Sequence, residues 1–167
     1  MPVGKHAPGH GRARADSHLE LPRVDANDID ADILPFARNA DLPWMMTAHI
    51  VYAALDGARP ATLSPAVVRG TIRGRMGFQG MLVTDDLAMK ALSGRAADNA
   101  RLALAAGCDA ALYCPGDLDG TAAVLAAAPP PGAETLARMA SARAQAAARR
   151  QHLDPAALAA ERDGLLA

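Results

Sequence analysis

Gly80-Met81-Leu82-Val83-Thr84-Asp85-Asp86 runs from a glycine through an unbroken apolar stretch into a threonine and two carboxylates. Continuous apolarity over the length of a strand predicts a strand covered on both faces, as in a parallel sheet flanked by helices. Working outward, Met1–Lys5, Trp44–Thr47 and Cys108–Cys114 are short apolar runs that also end in polar residues, and each is predicted to be a buried strand. Helical patterns lie between them. Asp28–Ala40 carries Ile29, Ile33, Leu34, Phe36 and Ala37, and Ser64-Pro65 supplies a cap and first-turn proline for a helix to about Arg75, stopped by Gly77. Ala96–Ala106, closed by Gly107, and Leu118–Ala128 complete the alternation. Strand and helix in strict order predict an α/β fold with parallel strands and crossover helices, which a doubly wound sheet and a (β/α)8 barrel both satisfy. Beyond Pro129-Pro130-Pro131-Gly132, Ala133–Gln151 and Pro155–Leu166 read as two terminal helices whose charges form a solvated face. The expected division is a domain over residues 1–130 and a helical extension over 131–167.

Composition narrows the function. The chain of 167 residues is 51% hydrophobic, enough for a core, and its formal charge of -1 comes from interspersed charges. No broad basic field is available for nucleic acid or an acidic membrane. The first residues lack the apolar core of a secretory leader, and no charge-free stretch reaches membrane-spanning length, so a soluble cytoplasmic protein is expected. Cys108 and Cys114 are then expected to be buried thiols in a reducing compartment. The first strand has almost no residues before its polar end, which predicts a chain that begins inside an element.

The chemistry-bearing residues cluster at strand ends, where parallel α/β folds place their sites. Lys5-His6-Ala7-Pro8-Gly9-His10-Gly11 and Asp16-Ser17-His18 gather three histidines, a lysine and a carboxylate within a short span. One reading is a metal site from His6, His10, Asp16 and His18, although no established ligand spacing is present. Another is a glycine-turned surface loop with solvated histidines. The third is acid–base catalysis and sugar binding. In it the Asp16 carboxylate accepts one imidazole N–H of His18, fixes its tautomer and favours the protonated ring that can donate a proton. Lys5 and His6 would donate hydrogen bonds to sugar hydroxyls. Asp85, at the end of its strand, is placed either to attack an electrophilic carbon or to cap the next element, a role that suits Asp86 better. His49, in Thr47-Ala48-His49-Ile50-Val51-Tyr52, reads as structural or as a substrate contact.

Taken together and in order, these segments resemble glycoside hydrolase family 3, specifically its NagZ-like β-N-acetylhexosaminidases. The family's K-H-F-P-G-H-G followed by D-S-H is similar to Lys5–Gly11 and Asp16–His18, with Ala7 in place of the bulky residue. A-H-[IV]-V-Y is similar to Ala48–Tyr52, the G-F-x-G…D-D-L-[SA]-M signature to Gly77–Met89, and Ala105–Asp109 fits the start of the family's last strand. The resemblance spans about Lys5 to Pro115. It implies part of a (β/α)8 TIM barrel, about the last four β/α units, acting without a cofactor or metal. It further implies retaining hydrolysis of terminal β-linked N-acetylglucosamine, with a peptidoglycan-recycling muropeptide or a chitobiose-like substrate. Asp85 would be the nucleophile, His18 with Asp16 the acid–base pair, and Lys5, His6 and His49 the substrate contacts. A half barrel would expose two sheet edges, so pairing with a separate first half, self-association, or survival as an inactive binding remnant are competing expectations. A histidine acid/base also admits phosphate in place of water, which would make the chain a glycoside phosphorylase.

Overall fold

The computed structural model describes residues 2–149 and 154–166, so the ends of the expected Met1–Lys5 and Ala133–Gln151 elements lie outside the described residues. Four parallel strands form one sheet in sequential order: β1 (Val3–Ala7), β3 (Trp44–Thr47), β5 (Met81–Asp86) and β6 (Ala110–Leu112). A second parallel pair, β2 (Arg23–Val24) with β4 (Val51–Tyr52), stands beside it. Each is two residues long, too short to leave a periodic signal, and neither was predicted.

α1 (Asp30–Ala37) leads into β3 and α2 (Ala96–Ala106) links β5 to β6, while α3 (Leu118–Ala127), α4 (Ala133–Ala148) and α5 (Pro155–Leu166) follow the last strand. The sequence places α2 and α5 at their observed bounds. Gly107 ends α2 with φ 119°, and a Cβ there would stand 3.1 Å from Val68 Cγ1. The predicted helix after Ser64-Pro65 exists over Ala66–Arg75, and Ser64 Oγ caps it by accepting from the Val67 N–H at 3.2 Å. Its winding is wider than predicted, a π-helix closed by the Met76 N–H on the Thr71 carbonyl at 2.8 Å. Gly70 and Gly74 weaken the preference for tighter winding, while Val67, Val68, Thr71 and Ile72 stay buried on one side.

The main core lies where Ile33, Val67, Ile72 and Phe78 pack with Met45 and Leu82 of the sheet. Asp109, at the start of β6, ties the lower end together. Its Oδ2 accepts from Arg73 Nη2 at 2.5 Å and the Leu82 N–H at 2.9 Å. Its Oδ1 accepts from Thr135 Oγ1 and Arg138 Nη1, each at 3.0 Å. Thus α4 is anchored to the sheet by buried charge rather than by an apolar stripe. One expectation is corrected here: Cys108 is buried but Cys114 is exposed. The apolar run ends with β6 at Leu112, so Cys114 falls in the following loop. Burial pushes the Cys108 thiol up to about 12, which keeps it protonated.

Candidate active site

The upper ends of β1 and β5 are both irregular. Along β1 and β3, Gly4 pairs with Met45 but Ala7, not His6, pairs with Thr47. Along β5 and β6, Val83 pairs with Ala110 but Asp86, not Asp85, pairs with Leu112. Each strand therefore carries one extra residue at the level of its candidate functional group. The Thr84 hydroxyl accepts the Leu112 N–H at 2.8 Å, which satisfies the donor freed by the second irregularity.

These two strand ends bring His6 and Asp85 together, with Nε2 3.3 Å from Oδ2. Asp85 Oδ1 accepts the Asp86 N–H at 2.9 Å, and both side chains are only partly exposed. Burial holds the His6 ring below the usual imidazole range; the Asp85 charge opposes that shift, while His10, Lys5 and His49 reinforce it. Lys5 is exposed at the rim. Asp86 has the capping role suited to it, because its Oδ1 accepts from the N–H groups of Ala88 at 3.0 Å and Cys114 at 3.1 Å.

Asp16 and His18 form the expected pair. His18 Nδ1 lies 2.8 Å from Asp16 Oδ1, and the His18 backbone N–H donates to the same oxygen at 2.9 Å. Those two bonds, the backbone one first, hold the Asp16 carboxyl below its ordinary range. The pair is open to solvent, with side-chain exposures of 75% for His18 and 58% for Asp16. Between them Ser17 is buried and anchors the loop: its carbonyl accepts the Ala91 N–H at 3.3 Å, and its Oγ lies 3.4 Å from His10 Nε2. The loop's beginning is fixed at Gly9. Tyr52 donates its hydroxyl to the Gly9 carbonyl at 2.5 Å, and a Cβ at Gly9 would stand 2.8 Å from Asp32 Cβ. Arg12 Nε donates to Asp32 at 2.6 Å, adding a further tie between the loop and α1.

His49 occupies a different environment from an open substrate contact. It is 1% exposed. Its Nε2 donates to the Asp86 carbonyl at 3.0 Å, and its Nδ1 lies 2.7 Å from Thr62 Oγ1. Burial holds the His49 ring below the usual imidazole range, and the Thr62 hydroxyl beside Nδ1 donates to the Ala48 carbonyl at 3.0 Å and lies 2.8 Å from the Thr47 hydroxyl. Thr62, Tyr52 and Ser17 thus shape the site without having been assigned to it from sequence; Tyr52 and Ser17 lay inside the recognised segments, whereas Thr62 had no local signal. Among the described residues no cluster of three His, Cys, Asp or Glu side chains could hold a metal ion. His6 and His10 lie with their ring centroids 5.5 Å apart.

Residues 1–147 match the family described as glycosyl hydrolase family 3 N terminal domain. A beta-hexosaminidase of Alkalilimnicola ehrlichii is 46% identical over 119 residues, covering 67% of this chain and 34% of that protein. Among solved structures, a glycoside hydrolase family 3 β-N-acetylglucosaminidase from Paenibacillus sp. FPU-7 superposes with a TM-score of 0.78 at 27% identity, covering 91% of this chain and 32% of that one. NagZ from Neisseria gonorrhoeae, in complex with N-trifluoroacetyl-D-glucosamine, gives a TM-score of 0.72 at 31% identity, covering 84% of this chain and 41% of that one. The chain thus spans about a third of the length of the first of these relatives. The four-stranded parallel sheet with its C-terminal helices is a partial TIM barrel.

Proposed function

This chain belongs to glycosyl hydrolase family 3, and on that premise we propose that it is a retaining β-N-acetylhexosaminidase acting on terminal β-linked N-acetylglucosamine. The single observation that supports this most is the meeting of His6 and Asp85 at 3.3 Å across two irregular strand ends, beside the loop that carries the Asp16–His18 pair. Asp85 attacks the anomeric carbon through one carboxylate oxygen. The bond from that carbon to the leaving oxygen breaks, and the proton on His18 Nε2 passes to the leaving oxygen. In the second half, His18 Nε2 takes a proton from water, the water oxygen bonds to the anomeric carbon, and Asp85 departs as carboxylate. Asp16, bonded to His18 Nδ1, holds the ring with Nε2 outward. Lys5 and His6 contact the sugar, and His6 also flanks the nucleophile. For His49 we propose a positioning role in place of a sugar contact, since it fixes the Asp86 carbonyl next to Asp85.

A peptidoglycan-recycling muropeptide is the proposed substrate and the cytoplasm the proposed location. No described helix is long and apolar enough to cross a membrane. The test is release of nitrophenol from nitrophenyl N-acetyl-β-glucosaminide by the purified chain. Asp85→Ala should abolish it; no release from folded protein, or release that survives this substitution, would overturn the reading. A second reading is favoured by the open edges of β1 and β6, each paired on one side only within the four-stranded sheet. It holds that the chain works only when paired with another half barrel, its own or a separate one. Sedimentation that gives a monomer with full activity would exclude it.

A further inference from the structure

The turn over residues 16–20 is tight within itself. The Asp16 carbonyl accepts the N–H groups of Leu19 at 2.9 Å and Glu20 at 3.0 Å, and its Oδ1 holds the His18 N–H at 2.9 Å and the ring Nδ1 at 2.8 Å. Among the described residues, the hydrogen bonds that leave this turn for the rest of the protein all belong to Ser17. Its carbonyl accepts the Ala91 N–H at 3.3 Å, and its Oγ stands 3.4 Å from His10 Nε2. Both are longer than the bonds inside the turn and longer than the common distance of about 2.9–3.0 Å. Ser17 is buried, whereas the side chains on either side of it are open to solvent. The turn is therefore a stiff unit held on a loose mount.

Both sides of the mount lead to Asp85. Ala91 lies in the connection after β5, where the Asp86 carbonyl accepts the Met89 N–H and the Met89 carbonyl accepts the Leu92 N–H, each at 3.1 Å. Asp86 Oδ1 also accepts the Ala88 N–H at 3.0 Å, so this connection is anchored on the residue next to the nucleophile. On the other side the His10 ring stands 5.5 Å, centroid to centroid, from His6, whose Nε2 is 3.3 Å from Asp85 Oδ2. We infer that Ser17, seated between His10 and Ala91, is a positioning residue for the proton transfer: it sets where the Asp16–His18 pair stands relative to Asp85, and His10 is its support. Proton donation to the leaving oxygen depends on that placement, since a misplacement of about 1 Å can cost on the order of a hundredfold in rate. The attack of Asp85 itself needs nothing from the turn. This rests on the hydrolase reading, in which Asp85 and His18 act at the glycosidic bond.

The experiment compares the full chain with Ser17→Ala and with His10→Phe, which keeps a ring beside His6 and removes the nitrogen that faces Ser17. Rates, as kcat/KM, are measured on phenyl and dinitrophenyl N-acetyl-β-glucosaminides, whose leaving groups respectively do and do not need a proton. Both variants should lose about tenfold on the phenyl glycoside and less than about twofold on the dinitrophenyl one. His10→Gln, which can bring an amide group close to the position of Nε2, should recover part of the loss. Equal losses on the two glycosides, or no loss on the phenyl one, would overturn the inference, because a merely structural defect does not distinguish leaving groups. Amide exchange of Ala91, read by NMR, follows the mount without turnover. It should be about tenfold faster in Ser17→Ala and His10→Phe, and an unchanged rate would also overturn the inference. Folded wild type that cleaves neither glycoside refutes the hydrolase reading and with it the catalytic use of the mount, while faster Ala91 exchange in the variants leaves the mount itself standing.

Discussion

Replacing Asp109 with alanine should unfold this protein more readily than any surface change. The carboxylate is 2% exposed and accepts four hydrogen bonds, from Arg73, Leu82, Thr135 and Arg138. The two arginines are themselves mostly buried, with side-chain exposures of 12% and 15%. Removing the acid leaves both guanidinium groups without their shared anion and the Leu82 N–H without its side-chain acceptor. Breaking a buried ion pair from one side costs about 3–5 kcal/mol. For a chain of this size that corresponds to a fall in Tm of roughly 6–20 °C. Thermal and urea unfolding followed by circular dichroism would measure it. Asp109→Asn, which keeps the shape and one acceptor oxygen, should fall between wild type and Asp109→Ala. A loss below about 1 kcal/mol for Asp109→Ala would refute the claim that this cluster holds α4 to the sheet, since that is the scale of an exposed pair.

Gly9→Ala should destabilise by about 1–3 kcal/mol, because its φ of 145° is left-handed and the added carbon would meet Asp32; unchanged urea unfolding would count against that packing. His49→Phe keeps an aromatic ring but leaves the Asp86 carbonyl without its side-chain donor, so a loss of about 1–3 kcal/mol is expected. Its kcat should fall more than its KM rises if His49 positions the nucleophile, and a KM effect alone would restore the sugar-contact role. Because the Asp85 charge opposes the lowering of His6, Asp85→Asn should lower the His6 midpoint further in an NMR titration. For His6 itself the folded-state value is depressed, so its contribution favours the folded protein above the imidazole range and is lost as pH falls below it. A His6 midpoint that rises in Asp85→Asn would contradict the assigned contact.

Much of this was legible in the sequence because the signals are local. The apolar runs Trp44–Thr47 and Met81–Thr84 and the glycine after α2 each carry their own physical cause. The Asp16–His18 contact is also local, two residues closing on one another across a tight turn. His49 was harder. Whether a strand-end histidine faces a pocket or the interior depends on Thr62, thirteen residues away, and on Asp86, thirty-seven away. The Asp109 cluster has the same character: it joins β6, the start of β5, the π-helix and α4, and no window of sequence contains all four. The Cys114 position failed for a simpler reason, since apolar composition continued past the last paired residue of β6.

The least legible feature is the one on which the proposed chemistry most depends. Adjacent strands stand about 4.8 Å apart, so β1 and β5, on either side of β3, are separated by roughly 10 Å. His6 and Asp85 must reach across the end of β3 to come within 3.3 Å. In a regular ladder His6 would pair with Thr47 and Asp85 with Leu112, and alternation along each strand would fix the face each side chain occupies. The extra residue in each strand moves both side chains out of that pattern at the same height in the sheet. The continuous apolar run of Gly80–Thr84 identifies the strand, but a regular register would give Asp85 a direction the protein does not keep. The freed Leu112 N–H is taken by Thr84, the residue immediately before the proposed nucleophile. Thr84 is fully buried, so its hydroxyl has a structural reason to be there: a valine would keep the apolar run intact and leave that donor without an acceptor.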